Sequence, residues 1–340
     1  MTSALIVGLS GGVLTAEERA FLADAQPAGL ILFSRNVGDP AAILPLVDSA
    51  RAAVGRDDVL ILIDQEGGRV QRLKSPSARD LPPAATYADL YRRDPDAALK
   101  AAFAVARLAA EDLRRYGVTM NCAPVLDAPV DGAHDIIGDR AYGRAPAQII
   151  ALAREVARGL LAGGVVPIIK HIPGHGRATA DSHLELPVVS TPHAVLSATD
   201  FAPFKALADQ PAAMTAHVVF SDIDPDAPAS ASAKVTRDII RGEIGFDGLL
   251  ISDDLSMKAL TGPMRQRAEA MIRAGSDIAL HCNGDLAEMR QAAGGAPPLE
   301  GLAAKRFAHA VALTAQRDSF DSAEAVAILA GLMRSDTRIA

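Results

Sequence analysis

Residues whose side chains could do chemistry are concentrated in one stretch that runs from Lys170 to His183. It contains three histidines, a lysine, an arginine and an aspartate, interspersed with glycines. Asp181 and His183 are two positions apart, a spacing that lets a carboxylate fix the tautomer of an imidazole and raise its basicity. An imidazole held in this way can donate a proton and then accept one near neutral pH. His183 is therefore a candidate acid/base and Asp181 its candidate partner, with a solvated loop histidine as the alternative.

A second candidate is the pair Asp253 and Asp254, which ends an apolar run. A carboxylate among buried residues costs free energy unless partners or a function offset it. Adjacent strand residues point to opposite sides, so one of the two is expected to act as an N-cap or turn carboxylate. The other could attack an anomeric carbon, because aspartate is a competent covalent nucleophile toward sugars.

A zinc site is the competing interpretation of His171, His175 and His183. The stretch contains neither a short HxH pair nor an HExxH helix, and the spacing of the first two histidines crosses Ile-Pro-Gly, which is not helical. We therefore expect no metal. The glycine-containing segments 67–68 and 174–176 match neither the P-loop nor the dinucleotide pattern, so we expect no nucleotide or other cofactor.

The elements that must position these residues are strands that alternate with helices. Short apolar runs predict eight strands, and helical spacing fills most of the stretches between them. The predicted strands are 4–9, 29–33, 59–64, 118–124, 165–171, 212–219, 248–253 and 277–282. The predicted helices are 15–25, 41–54, 96–116, 147–162, 192–208, 235–244 and 264–274, with two more near 302–314 and 323–333. Such alternation predicts a parallel α/β sheet, and eight strands close a TIM-like (β/α)8 barrel; a doubly wound open sheet is the alternative.

No linker rich in Pro, Gly and Ser divides the chain, so 1–340 is predicted to be a single barrel domain with the helices of about 298–335 packed on it. The connections 67–95, 127–145 and 172–191 exceed ordinary βα loop lengths and are expected to build a pocket. In a barrel of this kind the site lies at the C-terminal ends of the strands. Among the polar residues that fall there, Arg72, Arg140 and Lys170 are either salt-bridge residues or, beside Asp64, clamps for hydroxyls and an amide.

The composition is that of an ordinary soluble globular protein, with 49% hydrophobic residues and a formal net charge of -7. This mildly acidic balance, without a Lys/Arg cluster, argues against nucleic acid or an anionic membrane as the partner, and a monomer acting on a small molecule is expected. No stretch approaches the ~20 apolar residues of a membrane span, and the N-terminus lacks the basic region of a secretion signal, so we expect a cytoplasmic protein. Cys122 and Cys282 are expected to be buried free thiols.

Three motifs together resemble glycoside hydrolase family 3. They are Lys-His-Ile-Pro-Gly-His-Gly at 170–176 with Asp-Ser-His at 181–183, Ile-Asp-Gln-Glu-Gly-Gly-Arg-Val at 63–70, and Ser-Asp-Asp-Leu-Ser-Met at 252–257. The likeness spans about 5–283 and looks most like the bacterial NagZ-type β-N-acetylglucosaminidases. It implies a TIM-like barrel and a retaining, two-step hydrolysis of terminal β-linked N-acetylglucosamine. The implied substrate is an N-acetylglucosaminyl muropeptide, the N-acetylglucosamine-1,6-anhydro-N-acetylmuramyl peptide released in cell-wall recycling.

The resemblance also implies roles for individual residues. Asp253 corresponds to the nucleophile, Asp254 is not expected to attack, and His183 corresponds to the acid/base with Asp181 as its dyad partner. The positions that match the family's sugar contacts are Asp64, Arg72, Arg140, Lys170 and His171. Two alternatives stay open: a phosphorylase that uses the same covalent intermediate, and a non-catalytic sugar-binding or sensor protein.

Overall fold

Eight parallel strands close into a barrel in the computed structural model, which describes residues 1–182 and 184–336. The strands are β1 (Ser3–Gly8), β2 (Pro27–Leu32), β3 (Leu60–Ile63), β4 (Met120–Asn121), β5 (Val166–Ile172), β6 (Ala212–Thr215), β7 (Leu249–Asp254) and β8 (Ile278–His281). Each strand pairs with its neighbours in chain order, and β1 pairs with β8 to close the ring. The predicted TIM-like barrel is confirmed, and the open sheet is wrong.

Helices connect the strands and surround the barrel. They are α1 (Ala16–Ala25), α2 (Pro40–Val54), α3 (Ala84–Tyr91), α4 (Pro95–Arg115), α5 (Pro146–Ala162), α6 (His193–Ala198), α7 (Ala202–Ala206), α8 (Met264–Ala274), α9 (Leu286–Gly295), α10 (Gly301–Leu313) and α11 (Ser322–Ser335). A π-type helix, Val235–Glu243, precedes β7. Aspartate side chains accept hydrogen bonds from first-turn N–H groups at the starts of α2, α4, α9 and α11, so the sequence itself determines where these helices begin.

The strands are apolar on both faces because each face is buried. Alternate residues such as Leu60 and Leu62 pack with the other inward-facing side chains in the barrel interior, whereas Ile61 and Ile63 pack against the surrounding helices. Phe307 of α10 also belongs to the interior cluster. Since the cavity described below opens at the C-terminal ends of the strands, α10 closes the N-terminal end of the barrel.

Several predicted elements differ from those observed. The predicted helix 192–208 is two helices, α6 and α7, because Pro203 has no N–H with which to continue the hydrogen-bond pattern and instead starts a new helix. The predicted strand 212–219 ends at Thr215, and Val219–Phe220 pairs instead with Val188–Val189 outside the barrel. The prediction also missed α3, which lies in the long connection 67–95, and α9, which lies in a stretch to which no element is assigned from the sequence.

Two further expectations concern thiols and membranes. Cys122 and Cys282 are both buried and free, which confirms the prediction of unpaired thiols. Across residues 1–182 and 184–336, no helix combines the length and the apolar character that a membrane crossing requires.

Candidate active site

A cavity of about 370 Å³ opens at the C-terminal ends of the barrel strands. All three long connections contribute to its wall, through Val70 after β3, Ile137 after β4 and His175 after β5. Of the seven sequence-predicted site residues that the structure describes, six line it: Asp64, Arg72, Arg140, Lys170, His171 and Asp253. The fold therefore brings together residues that lie almost 190 positions apart in the chain.

The wall of this cavity is organised by five charged side chains of alternating sign. Asp64 accepts hydrogen bonds from Arg72 Nη2 at 2.8 Å and from Lys170 Nζ at 2.9 Å. Lys170 Nζ also lies 2.6 Å from Glu66 Oε1, and Arg140 binds both oxygens of Glu66 at 2.8 and 2.9 Å. We call this chain of contacts, from Arg72 through Asp64, Lys170 and Glu66 to Arg140, the rim network.

The rim network keeps its members ionised although they are largely buried. Burial raises the pKa of the Asp64 carboxyl, but Lys170 and Arg72 outweigh it and hold that pKa well below its usual range. Burial likewise raises the pKa of Glu66, and Arg140 and Lys170 outweigh that effect. On the cationic side, burial lowers the pKa of Lys170, but Asp64 and Glu66 raise it above the ordinary value. The network therefore presents three positive and two negative charges to the cavity at neutral pH.

A second buried carboxylate, Asp127, holds the segment after β5. Asp127 Oδ2 is 2.7 Å from His171 Nδ1, and Asp127 Oδ1 accepts the backbone N–H groups of His171 and His175. Burial raises the pKa of Asp127, but His171 outweighs it and lowers the value overall. The contact assigns the Nδ1–H tautomer to a neutral His171, since a carboxylate only accepts. Asp127 thus orients a side chain on the cavity wall without lining the cavity itself.

Asp253 and Asp254 both line the cavity, although they are adjacent at the end of β7. The pairing of β7 with β8 shifts register between Ile251 and Asp254, at the strand end that carries both residues. Asp254 is a turn carboxylate, as predicted for one of the pair, since its Oδ1 accepts the N–H groups of Ser256 and Cys282.

Asp253 is held in place by its neighbours. Its backbone N–H donates to Thr215 Oγ1 at 3.2 Å, and its Oδ1 accepts the N–H of Asp254 at 2.8 Å. The carbonyl of Asp254 in turn lies 3.0 Å from His217 Nε2 on the segment after β6. The strand ends of β6 and β7 therefore fix the position of the Asp253 carboxylate jointly.

The remaining predicted residues lie on the loop after β5. Asp181 is half-buried, but it is not among the residues that line the cavity, whereas its neighbour Ser182 is. His183 lies outside the described residues. His175 Nε2 is 3.2 Å from Ser182 Oγ, which ties the two parts of the loop together. A Cβ at Gly176 would lie 2.1 Å from the carbonyl oxygen of Ala128, so only glycine allows this loop to pack against the segment after β4.

Three contributors to the site were missed as site residues: Glu66, Asp127 and His175. Glu66 and His175 lie within the recognised motifs, and Asp127 interrupts an apolar segment that runs from Val125 to Val130. A carboxylate in such a segment indicates a hydrogen-bond or ion-pair partner, because a buried carboxylate without one costs free energy. The sequence does not show which group that partner is. As for metals, residues 1–182 and 184–336 contain no group of three or more His, Cys, Asp or Glu side chains arranged to hold an ion.

A barrel rim that gathers carboxylates and cationic clamps around a cavity large enough for a sugar is typical of TIM-barrel glycoside hydrolases. The model of the glycosyl hydrolase family 3 N-terminal domain matches residues 7–312, and the chain belongs to this family.

Two curated relatives are named Beta-hexosaminidase. The protein of Methylococcus capsulatus is 42% identical over 279 residues, covering 81% of this chain and 81% of its own length. That of Alkalilimnicola ehrlichii is 41% identical over 283 residues, covering 82% of this chain and 80% of its own. NagZ from Neisseria gonorrhoeae, solved in complex with N-trifluoroacetyl-D-glucosamine, has a TM-score of 0.87 and 32% identity, over 97% of this chain and 98% of that one. The chain is accordingly a NagZ-type member of the family, a β-hexosaminidase that acts on small-molecule glycosides.

The buried His175 generates a prediction about acid stability. Burial, reinforced by the neighbouring His171, lowers the pKa of His175 to about 4, against 6.5 for an ordinary histidine. Between pH 6.5 and pH 4 the imidazole binds a proton in the unfolded chain but not in the folded chain. The free energy of unfolding therefore decreases as the pH drops through this range. Near pH 4 this difference in proton binding lowers the free energy of unfolding by roughly 3 kcal/mol.

His175→Gln, which cannot ionise, should therefore lose less stability on acidification than the wild type. Urea unfolding at pH 7, 5.5 and 4.5 measures the difference, and His309→Gln, exposed on α10, controls for removal of a histidine. A stability difference between wild type and His175→Gln that stayed constant over this range would contradict the assignment.

Proposed function

We propose that the protein is a retaining exo-β-N-acetylglucosaminidase that removes terminal β-linked N-acetylglucosamine from N-acetylglucosamine-1,6-anhydro-N-acetylmuramyl peptides during cell-wall recycling in the cytoplasm. The observation that carries the proposal is that Asp253 and the whole rim network line the same cavity. Cell-wall recycling and the muropeptide substrate rest on the family resemblance. The two buried free thiols are in keeping with a reducing compartment.

In this proposal Asp253 is the nucleophile. A carboxylate attacks the anomeric carbon through an oxocarbenium-like transition state and forms a covalent glycosyl-enzyme, which water then hydrolyses with net retention. The hydrogen bond from the Asp254 N–H to Asp253 Oδ1 fixes the orientation of the carboxylate before substrate arrives. Such preorganisation lowers the reorganisation needed in the transition state. Asp254 itself already accepts two backbone N–H groups, which supports a structural role for it.

His183 is the proposed acid/base and Asp181 its proposed partner. The imidazole would protonate the leaving oxygen in the first step and deprotonate water in the second. Support comes from the two-residue spacing of the pair and from Ser182, which lies between them in the chain and lines the cavity. The hydrogen bond between His175 and Ser182 anchors the loop on one side, and the Arg177–Asp200 ion pair at 2.7 Å anchors it on the other.

The rim network and His171 are the proposed sugar clamps. Asp64 is a charged acceptor and Lys170, Arg72 and Arg140 are charged donors, and charge-assisted hydrogen bonds to hydroxyls are stronger than neutral ones. The chain contains no Trp, so polar clamps and aliphatic walls rather than an indole platform would recognise the sugar. Ile31, Met214 and Leu280 supply such apolar wall.

The first test of this function compares substrates and products. An aryl N-acetyl-β-glucosaminide should be hydrolysed much faster than the matching aryl β-glucoside, and a cell-wall-derived disaccharide peptide should lose its terminal N-acetylglucosamine. NMR of the first product should show the β-anomer, as retention requires. In phosphate buffer, N-acetylglucosamine 1-phosphate as the main product would favour the phosphorylase alternative, and binding without turnover would favour a sugar sensor.

Removal of the proposed nucleophile gives the second prediction. Asp253→Ala should reduce kcat by at least roughly 10³-fold, the scale seen when a covalent catalyst is deleted. Its melting temperature should remain near that of the wild type, and N-acetylglucosamine should still bind. Asp24→Ala, exposed on α1, is the control for loss of a carboxylate. Near wild-type turnover by Asp253→Ala would rule out the nucleophile assignment.

The acid role of His183 is tested by varying the leaving group. His183→Ala should lose kcat/KM severely for poor leaving groups but much less for activated aryl glycosides, which leave with little protonation. A plot of log kcat/KM against the pKa of the leaving phenol should therefore be steeper for the variant than for the wild type. Parallel plots would mean that His183 does not protonate the leaving group.

A further inference from the structure

Arginines gather at the N-terminal end of the barrel, opposite the cavity of about 370 Å³ at the C-terminal ends of the strands, which we call the sugar cavity. Arg114 lies in the last turn of α4, just before β4, and Gly163 lies between α5 and β5. Arg317, which follows α10, packs against this connection, where the N–H of Asp318 donates to the carbonyl of Ala162 at 3.0 Å. The segments meet around a cavity of about 260 Å³ lined by Arg107, Glu111, Arg114, Arg115, Gly163 and Arg317. We call it the arginine cavity.

The charges around the arginine cavity do not balance. Asp112 pairs with Arg79 and Arg115, and Glu111 Oε2 lies 3.3 Å from Arg79 Nη2 without hydrogen-bond alignment. Asp318 acts on Arg107, and Asp48 and Asp57 act on Arg51, which lies near Arg114. In all, six arginines and five carboxylates belong to this cluster, an excess of one positive charge. Burial lowers the pKa of the Arg114 guanidinium, and the nearby Arg317 and Arg51 lower it further, so the neighbours of Arg114 oppose its charge.

Two buried donors of this cavity also lack acceptors. Within the part of the chain that the structure describes, Nε of Arg107 and Nε of Arg114 are buried without a hydrogen-bond partner. Arg107 is only 8% exposed, and its Nη2 donates to the carbonyl of Asp318 at 3.1 Å. Buried donors in native proteins are nearly always satisfied, and an unsatisfied one costs free energy. Both residues line the same cavity, so an acceptor bound there could pair with these donors.

Helix electrostatics explain only part of this arrangement. A cation in the last turn of α4 interacts favourably with the helix dipole, which accounts for the location of Arg114 and Arg115. The dipole does not accept the buried Nε–H groups, nor does it account for Arg317, which comes from another segment. An anionic ligand would answer both the charge excess and the unsatisfied donors.

We propose that the arginine cavity binds the phosphate group of a small anion, either inorganic phosphate or a phosphomonoester. Guanidinium groups match phosphate oxygens with paired N–H donors, and a phosphate carries close to two negative charges at neutral pH. A phosphate also offers three acceptor oxygens, whereas a carboxylate offers two. The cavity is large enough for a phosphate and too small for an extended ligand such as a muropeptide.

Calorimetric titration of the full chain with inorganic phosphate tests the site. Saturating N-acetylglucosamine keeps phosphate out of the sugar cavity, and sodium chloride holds the ionic strength constant. Phosphate should bind one to one, and Arg317→Gln and Arg114→Gln should each weaken binding by about tenfold or more, equivalent to ~1.4 kcal/mol. Arg317 is exposed, so its replacement leaves the fold intact even if Arg114→Gln proves unstable. Arg290→Gln, exposed on α9, should bind phosphate as the wild type does.

Further ligands identify the source of the phosphate group. Sulfate should compete with phosphate for the site, and acetate should not. If glucose 1-phosphate binds more tightly than phosphate, the ligand is a phosphorylated metabolite. If glucose 1-phosphate binds more weakly, the ligand is inorganic phosphate. Arg317→Gln should keep the basal hydrolysis rate on an aryl N-acetyl-β-glucosaminide. The proposal is overturned by three results: no phosphate binding to the wild type, equal binding by Arg317→Gln, or binding that N-acetylglucosamine abolishes.

Discussion

The rim network is the constraint on which the catalytic end of the barrel depends. Its carboxylates, Asp64 and Glu66, follow β3, whereas Lys170 belongs to β5 and Arg140 to the long connection after β4. Of the five members of the rim network, Lys170 alone lies within 3 Å of both carboxylates, so one ammonium joins the segments after β3 to the end of β5. Buried charges of this kind are seldom the most stable solution, because apolar residues of similar volume would avoid the desolvation cost. Their presence on a cavity wall is therefore explained better by ligand binding than by stability.

The same principle recurs at the other strand ends. Asp127 joins the segment after β4 to the end of β5, and Asp254 joins β7 to the residue after β8 through the N–H of Cys282. In each case a carboxylate accepts backbone N–H groups that the barrel ladder leaves unpaired where the strands end. Polar residues at the rim thus have two roles. Some line the cavity, and others bind the backbone segments that carry the lining residues.

Most of the barrel could be predicted because strand burial and helix periodicity are local signals. The pair Asp253 and Asp254 could be singled out from its place at the end of an apolar run, and the family motif selected Asp253. That Asp254 also lines the cavity could not be predicted, because the register at this strand end depends on the partner strand β8 rather than on local sequence. For the same reason Asp127 could be noticed in its apolar segment, but its partners His171 and His175 lie more than 40 positions away. Similarly, the break between α6 and α7 has a local signal in Pro203, whereas the use of Asp200 to bind Arg177 has none.

The electrostatics of the rim network also bear on which groups can control the reaction. Lys170 and Arg72 lower the pKa of Asp64, Arg140 and Lys170 lower that of Glu66, and the two carboxylates raise the pKa of Lys170. These shifts reinforce one another, so the network remains charged throughout the neutral range. Burial keeps His175 neutral above about pH 4, so its charge does not change in the neutral range either. Any pH dependence of catalysis near neutrality must then come from groups outside this set. The proposed acid/base on the loop after β5 is such a group.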